Sequence, residues 1–157
     1  MKYNHKIYKE PGNLIWLDID GVLSNWEGHV DSLGLRQTGI DNFGYDFWST
    51  IPLFPWGKDL YDSLNKVAPV VLLTSPSNNP ECCKGKHEWI TRHFKTRDFL
   101  IGGCKWACAK PNAILIDDSI DKIERFEMAG GKTFLFKKEY GKDINKFVCE
   151  VKRILES

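Results

Sequence analysis

Apolar residues in this chain fall into short unbroken runs, and between the runs they recur every three or four positions. The runs are residues 13–19, 68–74, 98–102, 112–117 and 132–136. They are continuous rather than alternating, and valine, leucine and isoleucine dominate them, which predicts strands covered on both faces. Residues 58–67 place Leu60, Leu64 and Val67 on one helical stripe, and residues 86–94 do the same with Trp89, Ile90 and Phe94. Residues 119–131 open on Ser119, a capping residue type, and close on glycines; residues 144–155 repeat Ile144, Phe147, Val148, Val151 and Leu155 at helical spacing. Strands separated by helices predict the α/β class, a Rossmann-like three-layer core around a parallel sheet. The expected organisation is a single domain over 1–157, with the core in 13–23 and 57–157. Residues 24–56 break the pattern. They are rich in glycine and aromatics and predict a small cap insertion after the first strand, and long connections of that kind are usually functional.

Parallel sheets bind ligands beyond the carboxyl ends of their strands. The first run carries Asp18 at its end with Asp20 just beyond, the second ends in Thr74, and the fourth ends in Asp117 with Asp118 next. Asp18 and Asp20 share a side of the chain if extension continues through them, and Gly21 then permits a turn. Carboxylates gathered at one edge repel and raise one another's pKa. A hard divalent cation relieves that repulsion, and oxygen ligands suit Mg²⁺. A magnesium site built from Asp18, Asp20, Asp117 and Asp118 is therefore expected, provided the fold brings the two pairs together. The competing reading is plain turn chemistry, with Asp117 and Asp118 capping the helix that starts at Ser119.

Composition narrows the function classes. Charged residues make up 27% of 157 residues and the net charge is +1, so neither a general nucleic-acid binder nor a membrane-surface binder is indicated. The first thirteen residues lack the apolar stretch and cleavage site of a leader. No apolar run approaches the roughly 20 residues that span a bilayer. A soluble, cytoplasmic protein is expected. The five cysteines are odd in number and read as reduced thiols. Cys82, Cys83, Cys104 and Cys108 with His87 could be imagined around zinc, but their spacing lacks the usual CxxC knuckle.

Three of these segments, in order, carry a resemblance. "DIDGVL" (18–23), "VVLLTS" (70–75) and "AILIDDS" (113–119) resemble the motifs of haloacid dehalogenase-superfamily phosphatases. "FW…PLFPWGKDLYDSL" (47–64), "TSPSNNPECCKGKHEWITRHF" (74–94) and Lys105 resemble the 5′(3′)-deoxyribonucleotidase family more narrowly, across most of residues 14–136. The resemblance implies Asp18 as nucleophile and Asp20 as general acid and base. It implies Thr74, Ser75, Lys86 and Lys105 as phosphate ligands, with Lys110 as the competitor of Lys105. It implies Mg²⁺ between Asp18, the Asp20 carbonyl and the Asp117–Asp118 pair, with Asp118 favoured as the inner-sphere member and Asp117 the alternative. Trp26 lies where family members carry an aromatic at the nucleobase, and Phe47 and Trp48 lie near another such position; all three also suit simple packing. The implied activity is Mg²⁺-dependent hydrolysis of nucleoside (deoxy)monophosphates. Rival readings are a phosphatase for a sugar phosphate or a nucleic-acid phosphate end, and a catalytically silent binding domain. The expected partner is a small phosphomonoester, with no membrane and no required nucleic acid; a homodimer is compatible with this.

Overall fold

Five strands, β1 (Leu14–Leu17), β2 (Val70–Thr74), β3 (Phe99–Ile101), β4 (Ala113–Asp117) and β5 (Lys132–Leu135), form one parallel sheet in the computed structural model, which describes residues 12–157. Most of the segment on which the leader expectation rests lies outside the described residues. The strand order is β3-β2-β1-β4-β5, so β1 is central, and Trp16 pairs with Val71 on one side and with Leu115 on the other. The helices are α1 (Trp26–Ser32), α2 (Tyr45–Ser49), α3 (Gly57–Asn65), α4 (Pro80–Phe94), α5 (Ile120–Met128) and α6 (Ile144–Glu156). Every predicted run is a strand, trimmed at its ends.

Alternation along the strands builds two apolar layers. Ile15, Leu17, Val70, Leu72, Ile114 and Ile116 face one way and pack with Leu60 and Leu64 of α3, Trp89 and Ile90 of α4, and Phe147 and Val151 of α6. Leu73, Ala113 and Leu115 face the other way and pack on Ile123 and Phe126 of α5. Full burial of a side chain such as Phe126 contributes roughly 1.5–3 kcal/mol. Residues 24–56 are not set apart from this core. They carry α1, a 3-10 turn at Gln37–Asn42 and α2, and their Val30, Phe43, Phe47, Trp48 and Ile51 join the α3–α4–α6 layer.

Two helix boundaries differ from the sequence expectation. The helix expected over 86–94 begins at Pro80, with the Asn79 side chain accepting from the Glu81 N–H and proline in the first turn, a favoured start. Gly85 obscured it. That glycine sits mid-helix because α2 crosses there: a Cβ at 85 would lie 2.5 Å from Trp48 Cβ and 3.0 Å from the Tyr45 carbonyl oxygen. At α5, Ser119 occupies the N-cap position without a side-chain capping bond. Asp117 Oδ1 instead accepts from the Ser119 N–H at 2.9 Å.

Candidate active site

The strand ends deliver the polar residues to one edge. Asp18 follows β1 and is 3% exposed; its N–H donates to the Ile116 carbonyl at 2.9 Å, which ties it to β4. Asp117 closes β4 and is fully buried. Lys105, from the 3-10 turn Lys105–Cys108, reaches between them: its Nζ lies 2.5 Å from Asp18 Oδ1 and 2.7 Å from Asp117 Oδ2. Lys105 rather than Lys110 therefore holds this position. Burial works against its charge, but Asp18 and Asp117 outweigh burial and hold the ammonium's pKa above its ordinary value.

A second pair forms beside the first. Lys86, from α4, is 3% exposed. Its Nζ donates to Thr74 Oγ1 at 2.6 Å and pairs closely with Asp20 Oδ2. The other Asp20 oxygen accepts from Ser24 Oγ at 2.9 Å. Beside Thr74, the Ser75 hydroxyl is buried with no hydrogen-bond partner among the described residues. A buried hydroxyl without a partner is costly, and an anion held at this edge would supply one.

The insertion braces these groups. Trp48 of α2 is 2% exposed, donates from Nε1 to the Phe43 carbonyl at 3.1 Å, and lays its ring 4.9 Å from Lys86 Nζ. The resemblance put Trp48 near a nucleobase position, with packing as the other reading; in the structure the ring lies under the Lys86 ammonium, in a cation–π contact. Phe47 is packed against Phe43 and Trp48 and borders a groove of about 390 Å³ with His29, Leu33 and Leu35. Trp26 is half-buried against the core. Asp41 accepts from the Asn78 N–H at 2.9 Å and from Asn78 Nδ2 at 3.1 Å, tying the insertion to the loop after Thr74. The Tyr45 hydroxyl donates to Glu88 and Trp89 Nε1 donates to the Ile51 carbonyl at 2.7 Å, which fastens the insertion to α4.

No protein-family model matches the chain. Over 108 residues it is 28% identical to the 5′(3′)-deoxyribonucleotidase of Bacillus subtilis (strain 168), a match covering 66% of this chain and 59% of that protein. The 5′(3′)-deoxyribonucleotidase of Bacillus phage SPbeta gives the same identity and coverage. The chain thus spans about three fifths of the length of these curated relatives. Among solved structures, a haloacid dehalogenase (HAD) family hydrolase from Deinococcus radiodurans R1, crystallised with phosphate and sodium, superposes with a TM-score of 0.52 at 11% identity over 87% of this chain and 90% of its own. The chain has the haloacid dehalogenase fold.

In this HAD-type fold the acidic edge suits a hard cation. Asp18, Asp117 and Asp118 each offer a carboxylate oxygen, and the three oxygens lie within 4.8 Å of one another. When all three are ionised, Lys105 neutralises one charge and leaves two, which a divalent ion matches. The Asp20 carboxylate is not part of this group; Ser24 and Lys86 occupy its oxygens, so a metal contact from Asp20 is left to its backbone. Asp118 lies over Gly21, whose φ is +85° and whose missing Cβ would land on Asp118 Oδ2. Gly21→Ala therefore meets a backbone penalty of roughly 1–2 kcal/mol and displaces a metal-facing carboxylate. The variant should melt earlier and should lose most of any melting-temperature rise produced by Mg²⁺. An undiminished Mg²⁺-dependent rise would contradict this placement.

Loss of hydration around its carboxyl and the charges of Asp18 and Asp117 push Asp118 from 3.8 up to about 7. Between those two values the folded chain binds more protons than the unfolded chain. Metal-free protein should thus lose stability through this group as pH rises from 3.8 to about 7 and level off above it. Asp118→Asn should flatten that slope. Thermal melts in EDTA at acid and neutral pH read it, and an identical pH dependence in both proteins would be the contrary result.

Sequence reasoning missed two supports of this site. Ser24, fully buried, was read only as part of the insertion, although its position four residues beyond Asp20 was visible. Trp48 carried no signal of its role, because the lysine over its ring is 38 positions away in sequence and is brought there by the α2–α4 crossing.

Proposed function

We propose that the chain is a Mg²⁺-dependent phosphomonoesterase that hydrolyses nucleoside monophosphates, with deoxynucleotides preferred. One observation carries this: buried Lys86 of α4 and buried Lys105 of a 3-10 turn converge on the ends of β1, β2 and β4, where the buried Asp18 carboxylate stands in an acidic trio. Buried lysines are rare and need partners; here the partners are the groups that phosphoryl transfer requires. The Bacillus relatives, both 5′(3′)-deoxyribonucleotidases, support the choice of substrate. A nucleotide substrate also agrees with the resemblance of residues 47–94 to that family.

The chemistry then runs through this chain's own groups. An Asp18 oxygen attacks phosphorus, forming the aspartyl–phosphorus bond as the bond to the leaving oxygen breaks. Asp20 donates its proton to the departing alkoxide. Water then attacks the same phosphorus, Asp20 takes the water's proton, and phosphate leaves Asp18 free. Lys86 and Lys105 offset the repulsion between a phosphate dianion and the Asp18 carboxylate, which would otherwise oppose their approach. Thr74 and Ser75 offer hydroxyls to the phosphoryl oxygens. Asp18, Asp117 and Asp118 would hold the Mg²⁺, which supplies further charge neutralisation at phosphorus.

Phosphate release from 3′- and 5′-deoxynucleoside monophosphates, with Mg²⁺ and with EDTA, tests the proposal. The expected result is release from at least one mononucleotide that EDTA abolishes. Release that persists undiminished in EDTA, or no release from any of them, would overturn it.

A further inference from the structure

Asp20 is gripped at both oxygens, and the two grips differ in kind. Lys86 donates to Oδ2, and its ammonium is shared with Thr74 Oγ1. Ser24 donates to Oδ1 at 2.9 Å from a fully buried position. The Ser24 backbone is itself immobilised: its N–H donates to the Ile19 carbonyl at 2.9 Å, its carbonyl accepts from the Gly21 N–H at 3.0 Å, and it bridges to Leu53 at the end of the insertion. The hydroxyl is thus presented by a closed turn rather than by a free loop.

The two partners respond differently to a phosphate. An ammonium has three donors and no acceptor. A phosphate dianion beside Thr74 competes with Asp20 for Lys86 and draws it toward the phosphoryl oxygens. A protonated Asp20 also has less to offer an ammonium. A serine hydroxyl is not pulled away, and it donates to Oδ1 whether Oδ2 is ionised or carries a proton. We propose that Ser24 is the positioning residue for Asp20: it holds Oδ1 while Lys86 turns to the phosphate, so that Oδ2 carries the proton and faces the leaving oxygen. Ser24 has this role only if the phosphatase reading above holds.

Leaving-group dependence tests it. General acid help matters for an alkoxide leaving group and little for p-nitrophenolate, which departs without a proton. A mononucleotide that the wild type hydrolyses and p-nitrophenyl phosphate form the pair, with kcat/KM as the readout because it covers binding and leaving-group departure and excludes the later hydrolysis of the phosphoenzyme. General acids contribute roughly 10²–10⁴-fold, and misaligning one should forfeit about tenfold of that. Ser24→Ala is expected to lower kcat/KM about tenfold on the mononucleotide and less than about twofold on p-nitrophenyl phosphate, the second value also showing that the variant folds. Asp20→Ala, the control, should show the same selectivity more strongly. Equal losses of Ser24→Ala on both esters would mean a merely structural serine, and no loss on either would mean an idle one; both outcomes overturn the proposal. A wild type inert toward both esters overturns the phosphatase reading instead, and the role of Ser24 with it.

Discussion

Lys105→Met is expected to be the most destabilising single change at this edge. The substitution keeps much of the side chain's bulk and removes its charge, leaving Asp18 and Asp117 buried, adjacent and unpaired, with Asp118 beside them. Breaking a buried ion pair by removing one partner costs about 3–5 kcal/mol. At roughly 2–4 °C per kcal/mol for a chain of this size, the melting temperature should drop by roughly 6–20 °C. The direction of rescue is equally definite. A divalent cation can replace the lost ammonium in electrostatic terms, so added Mg²⁺ should raise the melting temperature of the variant more than that of the wild type. Asp117→Asn combined with Lys105→Met should recover part of the loss, because one of the stranded charges is gone. Differential scanning calorimetry with and without Mg²⁺ measures all of this, and a Lys105→Met protein as stable as wild type in EDTA would contradict the buried network.

Asp18→Asn should have the largest effect on turnover. The amide is nearly isosteric, so the fold survives; one of the two partners of Lys105 is weakened and Asp117 remains. An amide cannot form the aspartyl-phosphate. Removing the nucleophile of a hydrolase whose other groups are intact costs about 10⁴–10⁶-fold in kcat, and phosphate release on any substrate the wild type accepts should fall by at least the lower figure. A phosphoenzyme trapped by rapid acid quench from wild type should be absent from the variant. Activity of Asp18→Asn within tenfold of wild type would remove the covalent route altogether. The two experiments are complementary, since one reads the charge balance of the site and the other its chemistry.

Much of this architecture was legible before any coordinates. The runs at 13–19, 68–74, 98–102, 112–117 and 132–136 are the five strands because an apolar stretch too short for a helix and flanked by breakers has little alternative to a covered strand. The amphipathic stripe of Phe147, Val151 and Leu155 made α6 equally plain. The placement of Asp18, Thr74 and Asp117 at one edge followed from parallel topology alone, since every parallel strand ends on the same side. Helix α4 was half-legible. Its start was hidden by Gly85, whose reason is a helix crossing that local propensity does not encode.

Chemistry-bearing residue types at strand ends are a local property, and the chain itself determined them: which aspartates, which threonine and a parallel sheet to align them. Partner choice is not local. That Lys105 rather than Lys110 enters between Asp18 and Asp117, that Lys86 is shared by Asp20 and Thr74, that Trp48 serves the lysine instead of open space, and that Ser24 grips the second oxygen of Asp20 were all decided by tertiary structure. Each of these contacts joins side chains whose rotamers and burial are set only when the insertion packs on α4 and the 3-10 turn Lys105–Cys108 packs on α5. A lysine in a sequence is free to be solvated, and only the cavity closed around it obliges it to find a carboxylate.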